Sequence, residues 1–328
     1  MKAPLLSICI ATYNRARFIG ETLDSIVPQL DEDVEIVIVD GASSDDTEAV
    51  IHAYAQKEPR IRYFRLPVKG GVDQDYDKSV EFAHGEFCWL FTDDDLLKPG
   101  AVAAVKAVLR APNDLVIVNA ELRSLDLATI LRHQRIVMRE NRVYPPGSMD
   151  SLLADAAYCL SFIGAVVIRR SLWLSRDRQT YYGTEFIHMG VIFQAPLANP
   201  ALILAETYII IRLGNSHWMP RCFDIWMFKW PKLIWSFPCV SAKAKESVTS
   251  LEPWRSFKNL VFHRSLGGYT AQAYAKYFSL VDAGRGWKVY AWLISRFPRF
   301  IIVPLHAVYS YIKRLAQHSA YKIRQGAR

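Results

Sequence analysis

Several patterns that would define a function are missing from the 328-residue chain. Its five cysteines form no C-x-x-C pair, which argues against a cysteine-based metal site, so we interpret them as core residues of a protein from a reducing cytoplasm. G-x-G-x-x-G and G-x-x-x-x-G-K-[ST] are also absent, so neither a dinucleotide-binding fold nor a P-loop is supported. No apolar run reaches 18 residues without a charge, and no signal-peptide pattern is present. We therefore predict no membrane-spanning helix and no signal peptide.

Acidic residues are missing from the C-terminal end. Residues 284–328 contain nine Lys or Arg and no Asp or Glu, and the formal net charge of the chain is +8. From residue 296 to 317, polar and cationic positions recur at 3,4 spacing and apolar residues fill the remainder, with Pro304 expected to bend or divide the segment. Such a basic amphipathic segment is typical of binding to an anionic membrane surface, although a helix packed on its own domain is the alternative. No nucleic-acid recognition motif accompanies the charge, so no nucleic-acid partner is expected.

Apolar runs alternate with amphipathic segments in the first 120 residues. The runs are LLSICIA, VEIVIVD, RIRYFRL, EFCWLFT and DLVIVNA. This alternation predicts an α/β fold, a mostly parallel sheet with helices on both faces. Farther along, SFIGAVVIRR predicts a strand, and TEFIHMGVIFQAPL predicts a helix capped by Thr184. We predict three regions: a first half over residues 1–120, a second half over 121–220, and a helical extension over 221–328.

Three adjacent aspartates, Asp93, Asp94 and Asp95, follow an apolar run that is predicted to be buried. Their mutual repulsion is a cost that folding does not require, and a divalent cation would remove it. Carboxylates suit Mg²⁺ or Mn²⁺, whose remaining ligands are commonly substrate phosphates. The alternative is that one aspartate caps a helix beginning near Pro99 while the others are solvated. Ligands bind beyond the carboxyl ends of parallel strands, so TYNR, DGASS and TDDD are expected to meet in one crevice.

Two further acidic features have competing interpretations. The segment DQDYDKSVEFAH begins like a calcium loop, but it has Lys78 where the glycine belongs and His84 where the glutamate belongs. We therefore reject calcium binding and interpret its acids as residues enriched in the first turn of a helix. Asp40 ends the run VEIVIVD, where its carboxylate could accept a hydrogen bond from a nucleotide base or could form an Asp-Gly turn.

Three ordered motifs resemble the nucleotide-sugar-binding half of the inverting family 2 glycosyltransferases, which have a GT-A fold. They are SICIATYNRARFIGETLDSI, VEIVIVDGASSDDT and HGEFCWLFTDDDLLKPGAV. The resemblance extends over residues 4–120 and, more weakly, over residues 160–220. Within that family, GGVDQDYDKSVEFAHGEFCWLF and GTEFIHMGVIFQ look most like the abequosyltransferases, which add a dideoxyhexose to lipid-linked O-antigen precursors.

The resemblance implies a donor site. Its residues would be Thr12, Tyr13, Asp40, Lys69, Lys78, Asp93 and Gly164. Tyr13 would stack on a pyrimidine, and Asp40 would read its edge, which fits uracil and cytosine equally. The family's arginine position is occupied by Tyr76, so the contacts with the diphosphate are expected to shift to the two lysines.

The resemblance also implies a metal site and a catalytic base. Asp93, Asp94 and His217 would be the metal ligands, with Asp94 as the main one, and Asp95 would shape the turn. Glu185 would be the base. The aspartate expected after it is replaced by Phe186, so Asp177 is kept as a reserve base.

Together these features imply an inverting, metal-dependent glycosyltransferase. It would use Mn²⁺ or Mg²⁺ and transfer a sugar from a CDP- or UDP-sugar to a saccharide acceptor, lipid-linked at the cytoplasmic face of the membrane. Two alternatives remain. A metal-dependent nucleotidyltransferase would carry a glycine-rich basic loop, which IATYNRARF lacks. A membrane-docked protein could instead bind the nucleotide sugar without turning it over.

Overall fold

A computed structural model describes residues 3–216, 218–279 and 281–304 of the chain. The chain divides into two compact units. The first unit comprises residues 1–215 and 233–249, and the second comprises residues 216–232 and 250–328. His217, which is a predicted metal ligand, and residues 305–317 of the predicted basic amphipathic segment lie outside the described residues.

The strands all belong to one sheet of the first unit. They are β1 Leu6–Thr12, β2 Val34–Asp40, β3 Ile61–Arg65, β4 Phe87–Phe91, β5 Leu96–Leu97, β6 Leu115–Arg123, β7 Ile130–Arg132, β8 Arg142–Tyr144, β9 Val166–Arg169 and β10 Ala201–Arg212. The sheet order is β3-β2-β1-β4-β9-β6-β10-β5, with β7 beside β6 and β8 beside β10. Each of the five apolar runs in the first 120 residues forms a strand, which confirms those predictions.

Parallel pairing dominates the half of the sheet that precedes the acidic motif. Strand β1 pairs in parallel with both β2 and β4, and β2 pairs in parallel with β3. Strand β9 confirms the strand predicted from SFIGAVVIRR. It lies antiparallel between β4 and β6, and so separates two strands whose apolar runs follow one another in the sequence. Residues in β1, β2 and β4 are almost all buried, because helices cover both faces of a parallel sheet.

The helices follow the strands in chain order. They are α1 Ile19–Ile26, α2 Thr47–Ala55, α3 Val72–Phe82, α4 Ala101–Leu109, α5 Met149–Leu160, α6 Arg170–Ser175, α7 Ile187–Phe193, α8 Cys222–Asp224, α9 Trp230–Ser236, α10 Ala242–Val248, α11 Phe257–Leu266, α12 Ala271–Phe278 and α13 Arg285–Arg296. None of the helices in the described part of the chain is long and apolar enough to cross a membrane.

Two predicted helix boundaries differ from the structure. Helix α7 begins at Ile187, whose amide donates to a carboxylate of α3 instead of to Thr184. The hydroxyl of Thr184 accepts from the amide of Phe186, which precedes the helix. In the basic segment, α13 ends at Arg296 and the chain is helical again over residues 299–304. A break therefore falls before Pro298, which lacks the amide needed to continue a helix, and the bend expected at Pro304, the last described residue, stays a prediction.

The second unit is helical and has an aromatic core of its own, which confirms the predicted helical C-terminal region in its described part. Phe223 and Phe278 are almost fully buried at its centre, and the ring centroid of Phe223 lies 4.4 Å from that of Tyr269. Trp254 packs edge-on against Phe278, with centroids 5.8 Å apart. Large aromatic side chains supply much buried area per residue, so a short helical unit can form a core in this way.

Candidate donor and catalytic site

Hydrogen bonds join the loops that follow β1 and β2. The amide of Gly41 donates to the carbonyl of Thr12 at 2.9 Å, and the amide of Asn14 donates to Ser43 Oγ at 2.8 Å. The amide of Arg15 donates to Thr47 Oγ1 at 2.8 Å. The carboxyl ends of the two parallel strands are therefore held together at one edge of the sheet, as the strand pattern predicts.

The acidic loop after β4 meets the loop after β1 through Arg15. Arg15 Nε lies 3.3 Å from Asp93 Oδ1, and Arg15 Nη2 lies 3.4 Å from Asp94 Oδ2. Asn215 Nδ2 also donates to Asp94 Oδ2 at 2.8 Å. One guanidinium therefore bridges two adjacent carboxylates and partly offsets their repulsion.

Burial and like charge disfavour ionisation of this acidic loop. Burial, followed by the charge of Asp94, raises the pKa of Asp93 to about 7, although Arg15 and the side chain of Thr12 oppose the shift. The pKa of the buried Asp95 carboxyl is also raised well above its ordinary value, by burial first and then by Asp94. A bound cation would reverse this balance, because it favours the charged form of each carboxylate.

The carboxylate of Asp95 holds the turn, because both of its oxygens accept hydrogen bonds from the protein. Its Oδ1 accepts from the amide of Arg212 at 2.7 Å, and its Oδ2 accepts from Thr92 Oγ1. The N-cap of α4 is Gly100, and no side chain caps it. The alternative in which one of the three aspartates caps the helix after Pro99 is therefore wrong.

The donor set at Asp93 and Asp94 fits a divalent cation that is only partly bound by protein. Two neighbouring carboxylates supply hard oxygen ligands, and Mg²⁺ or Mn²⁺ commonly takes one or two carboxylates with phosphate and water as the rest. Among residues 3–216, 218–279 and 281–304, no group of three or more His, Cys, Asp or Glu is arranged to hold a metal. A diphosphate and His217 as further ligands of such an ion stay predictions.

Asp40 is fully buried and has a partner on each carboxylate oxygen. Its Oδ1 accepts from the amide of Ser43 at 2.7 Å, and its Oδ2 accepts from the hydroxyl of Tyr63 at 2.8 Å. The structure thus shows the turn interaction that the Asp-Gly pair predicted. Because a carboxylate oxygen accepts more than one hydrogen bond, a base contact remains compatible with this geometry and stays a prediction.

Two predicted donor residues lie together beside Asp40. The ammonium of Lys69 sits 3.5 Å from the centre of the Tyr13 ring, a cation–π contact on the face expected to stack on a base. The charge of Lys69 also lowers the pKa of Asp75, but burial dominates and raises that pKa to about 6.

Asp73 and Asp75 lie in the first turn of α3, as the sequence predicts, and the structure adds that three aspartates of this helix are buried. Asp73, Asp75 and Asp77 are 3%, 3% and 1% exposed. The Asp77 carboxylate accepts from Trp173 Nε1 at 2.8 Å and from Arg178 Nε at 2.7 Å. Asp77, which lies beyond the first turn, therefore binds specific side chains of the protein.

Asp73 positions the predicted base, Glu185. Asp73 Oδ2 accepts from the amide of Glu185 at 2.9 Å, and Oδ1 accepts from the amide of Ile187 at 3.0 Å. Burial raises the pKa of Asp73 to about 6, and the charge of Glu185 adds to that rise. The N-terminus of α7 is thus tied to α3, with the half-buried Glu185 side chain beside it.

Backbone strain is concentrated around this site. Asn14, Ala42 and Glu185 have φ values of 54°, 65° and 72°, in the left-handed region that disfavours residues other than glycine. The first two lie in the loops after β1 and β2, and the third precedes α7. Strained backbone of this kind persists when surrounding contacts enforce it, and it is enriched at functional sites.

The other predicted residues have distinct environments. Gly164 lies in a short turn before β9, where its carbonyl accepts from Trp89 Nε1 at 2.9 Å and an added Cβ would meet the Phe162 ring at 2.3 Å. Lys78 lies on the exposed side of α3 in an ion pair with Glu81. The role of Lys78 at the diphosphate stays a prediction.

Asp177, the reserve base, is bound in the turn that precedes α7. Its carboxylate accepts from the amide and the hydroxyl of Thr180, and the hydroxyl bond is the main cause of its lowered pKa. A lowered pKa makes a carboxylate a weaker proton acceptor, so this environment favours Glu185 over Asp177 as the base.

Sequence reasoning missed three residues of the site. Arg15 stands in the quoted TYNR motif, but its partners are 78 and 79 positions away in the chain, so no local pattern identifies them. Asp73 was identified as an acid of α3, but its hydrogen bonds to the backbone before and at the start of α7 depend on where α7 begins. Tyr63 ends up beside Asp40 because β3 pairs with β2 in a fixed register.

The sheet order and the loop contacts define an α/β protein with an acidic site at the carboxyl ends of its strands. The sequence model of the family described as Glycosyl transferase family 2 matches residues 7–173, slightly more than half of the chain. The chain therefore belongs to glycosyl transferase family 2.

Two relatives illustrate the range of similar proteins. Abequosyltransferase RfbV of Salmonella typhimurium strain LT2 is 29% identical over 206 residues, which cover 58% of this chain and 62% of that protein. A Campylobacter jejuni GalNAc(5)-diNAcBac-PP-undecaprenol beta-1,3-glucosyltransferase is 34% identical over 103 residues, 31% of this chain and 33% of that protein. The chain thus spans less than two thirds of the length of either relative.

Solved structures share the fold over most of the chain. Staphylococcus aureus TarS residues 1–349, in complex with UDP, superposes with a TM-score of 0.59 at 15% identity, covering 88% of this chain and 90% of that one. Mannosyltransferase PcManGT of Pyrobaculum calidifontis, in complex with GDP-Man and Mn²⁺, gives a TM-score of 0.53 at 15% identity, covering 94% and 88%. The fold is GT-A.

Proposed function

We propose that the chain is an inverting, metal-dependent glycosyltransferase. It transfers a sugar from a CDP- or UDP-sugar to a saccharide acceptor that is lipid-linked, as a precursor of a surface polysaccharide. Residues 1–120 bind the donor, residues 121–220 complete the catalytic half, and residues 221–328 form a membrane-associating extension. The site of action is the cytoplasmic face of the membrane.

The observation that carries this proposal is the position of α3. Asp73 of this helix binds the backbone of Glu185, while the hydroxyl of Tyr76 donates to the carbonyl of Phe91 at 2.9 Å, at the start of the acidic loop. Burial raises the pKa of Tyr76 well above its ordinary value, and the charges of the three aspartates add to the rise. Because a helix rises 1.5 Å per residue, Asp73 and Tyr76 are about 4.5 Å apart along the axis. One turn of α3 therefore connects the predicted base with the predicted metal ligands.

The donor would lie along the edge formed by the loops after β1, β2 and β4. Tyr13 offers a face for the base, with Thr12 and Asp40 beside it, and Lys69 is placed to follow the diphosphate. Gly164 would lie near the donor sugar, in a turn where the Phe162 ring leaves no room for a Cβ. Asp93 and Asp94 would hold Mn²⁺ or Mg²⁺ against the diphosphate, and the ion would neutralise the charge that develops there.

The reaction is a single displacement at the anomeric carbon. The acceptor hydroxyl oxygen forms a bond to that carbon while the carbon–oxygen bond to the diphosphate breaks, and its electron pair leaves with the nucleoside diphosphate. Glu185 accepts the hydroxyl proton as the new bond forms. General-base catalysis of this kind contributes about 10²–10⁴-fold to the rate.

Support for the acceptor comes from the named relatives. The match with an abequosyltransferase and with an enzyme named for an undecaprenol-linked saccharide favours a lipid-linked acceptor. The basic, apolar surface of the second unit favours work at a membrane. Family membership favours a glycosyltransferase over a nucleotidyltransferase.

The Glu185→Gln variant tests the proposal, with the exposed Glu206→Gln as the matched control. We expect Glu185→Gln to bind nucleotide sugar like the wild type and to lose at least about 100-fold in turnover, because an amide cannot accept the proton. Glu206→Gln should keep full turnover. Donor binding without turnover in the wild type, with any lipid-linked saccharide tried, would instead favour a binding protein.

A further inference from the structure

Helix α13 of the second unit has an exposed apolar face. Its inner side is anchored by Trp287, whose ring stacks on Phe278 with centroids 5.2 Å apart. On the other side, Val289, Trp292 and Leu293 are 58%, 41% and 53% exposed. Positions 289, 292 and 293 share one face of a helix, so these side chains form a continuous stripe.

The apolar stripe continues beyond the end of α13. Phe300 is 80% exposed, and Phe297, Ile301 and Val303 are also exposed. We call the whole set the α13 surface. It consists of Val289, Trp292, Leu293, Phe297, Phe300, Ile301 and Val303. Single exposed apolar residues are ordinary in soluble proteins, whereas a cluster of this size marks an interaction site.

Cations border the α13 surface. Arg285, Lys288 and Arg296 lie on α13 beside the stripe, and the guanidinium of Arg296 is 4.4 Å from the centre of the Trp292 ring. Of the described residues from 253 to 304, eight are Lys or Arg and one, Asp282, is an acid. The partner of this surface must therefore tolerate a nearly uniform positive charge.

A shallow cavity of about 540 Å³ lies within the same surface. Its walls are Tyr274, Arg285, Lys288, Val289 and Trp292. Two cations and two aromatic side chains around an open cavity suit a phosphate-bearing headgroup with an apolar chain beside it.

We propose that the α13 surface docks on a bilayer that contains anionic phospholipids. Anionic headgroups would neutralise Arg285, Lys288 and Arg296, while the hydrocarbon boundary would accept the apolar stripe. A nucleic acid as the partner would pair with the cations but would leave the aliphatic side chains of the surface in water. The proposed docking surface, residues 285–304, overlaps the basic amphipathic segment predicted at residues 296–317, of which residues 305–317 lie outside the described residues. The inference deepens the proposed lipid-linked acceptor.

Vesicle sedimentation with the full chain tests the proposal without any sugar. We expect the protein to sediment with vesicles of phosphatidylglycerol and phosphatidylcholine in equal parts, and at least tenfold less with phosphatidylcholine alone. Binding to the anionic vesicles should weaken as salt rises, because the charges are screened.

Two double variants separate the apolar and the electrostatic contributions. Trp292→Ser with Leu293→Ser should weaken vesicle binding at least tenfold, because two exposed apolar groups that would enter the bilayer are lost. Lys288→Ala with Arg296→Ala should weaken it about 25-fold at low salt, at roughly fivefold for each cation near the surface. The matched control is Val137→Ser in the first unit, where the side chain is 89% exposed.

The outcomes distinguish this inference from the proposed function. Circular dichroism and thermal melting should show both variants folded, and calorimetry should show unchanged affinity for UDP or CDP. Equal binding to anionic and neutral vesicles, or wild-type binding by both double variants, would overturn the proposal. So would a stable dimer in sedimentation velocity that the Trp292→Ser, Leu293→Ser variant abolishes, or binding to RNA without binding to vesicles.

Discussion

At the scale of single residues, Arg15 explains how two adjacent carboxylates coexist in the protein alone. Its guanidinium contacts Asp93 and Asp94 at 3.3 and 3.4 Å, so a positive charge already stands beside the pair. Mn²⁺ or Mg²⁺ at these carboxylates would compete with this arginine. The displaced guanidinium would then be available to the negative diphosphate, for which arginine has suitable geometry.

The Asp73→Asn variant tests whether the pKa of Asp73 is raised, through the dependence of stability on pH. The pKa of Asp73 is raised to about 6, so between pH 4 and 6 the folded protein holds a proton that the unfolded chain has lost. The contribution of Asp73 to the free energy of unfolding therefore falls as pH rises through this window. Urea unfolding should show that Asp73 makes the wild type about 1–2 kcal/mol less stable at pH 7.5 than at pH 5, and that Asp73→Asn removes this part of the slope.

The pH slope, and not overall stability, is the decisive readout for Asp73. The Asn side chain has one carbonyl oxygen, so it can accept from only one of the two backbone amides that Asp73 binds. The free energy of unfolding of the variant should therefore also fall by about 1–3 kcal/mol at every pH. Exposed Asp126, which contacts a neighbouring serine, gives a control substitution that should leave the slope unchanged. An unchanged slope in Asp73→Asn would contradict the raised pKa.

At the scale of elements, α3 is the connection between the two parts of the site. It packs against β1, β2 and α6, and two of its buried acids, Asp73 and Asp77, bind groups from residues 173 to 187. A helix with acids on opposite sides is poorly suited to a simple amphipathic role. Here Asp73 and Asp77 both bind the segment from residue 173 to residue 187.

Adjacent positions on α3 provide a matched pair of variants. Asp77→Ala removes the partner of Arg178, Trp173 and Tyr182 and leaves their donors unsatisfied, so we expect a loss of about 3 kcal/mol or more in urea unfolding. Lys78→Ala breaks an exposed pair with Glu81 and should cost under about 1 kcal/mol. Equal losses in the two variants would show that the Asp77 interactions contribute little.

The presence of the strands could be predicted from sequence more completely than the order in which they pair. Five apolar runs were sufficient for β1, β2, β3, β4 and β6, because buried parallel strands are recognisable by composition. The insertion of β9 between β4 and β6 could not be predicted, since pairing depends on long-range packing. For the same reason the α3 acids were recognised as acids, but the partners of Asp73 and Asp77 were not.

At the scale of the whole molecule, the two units differ in chemistry. The first holds the sheet and the acidic edge, and the second holds an aromatic core and the cationic α13 surface. This division agrees with an enzyme that binds a soluble, negatively charged donor and works on a membrane-bound acceptor. The assignment of separate tasks to residues 1–120, 121–220 and 221–328 stays a prediction.

The most direct test of the central claim is calorimetry of Mn²⁺ and UDP or CDP on the Asp94→Asn variant. If the carboxylates of Asp93 and Asp94 hold the ion against the diphosphate, the variant should bind Mn²⁺ and the nucleotide at least about tenfold more weakly, while Glu206→Gln binds like the wild type. If Asp94→Asn binds both ligands as tightly as the wild type, the metal lies elsewhere and the proposed site is wrong.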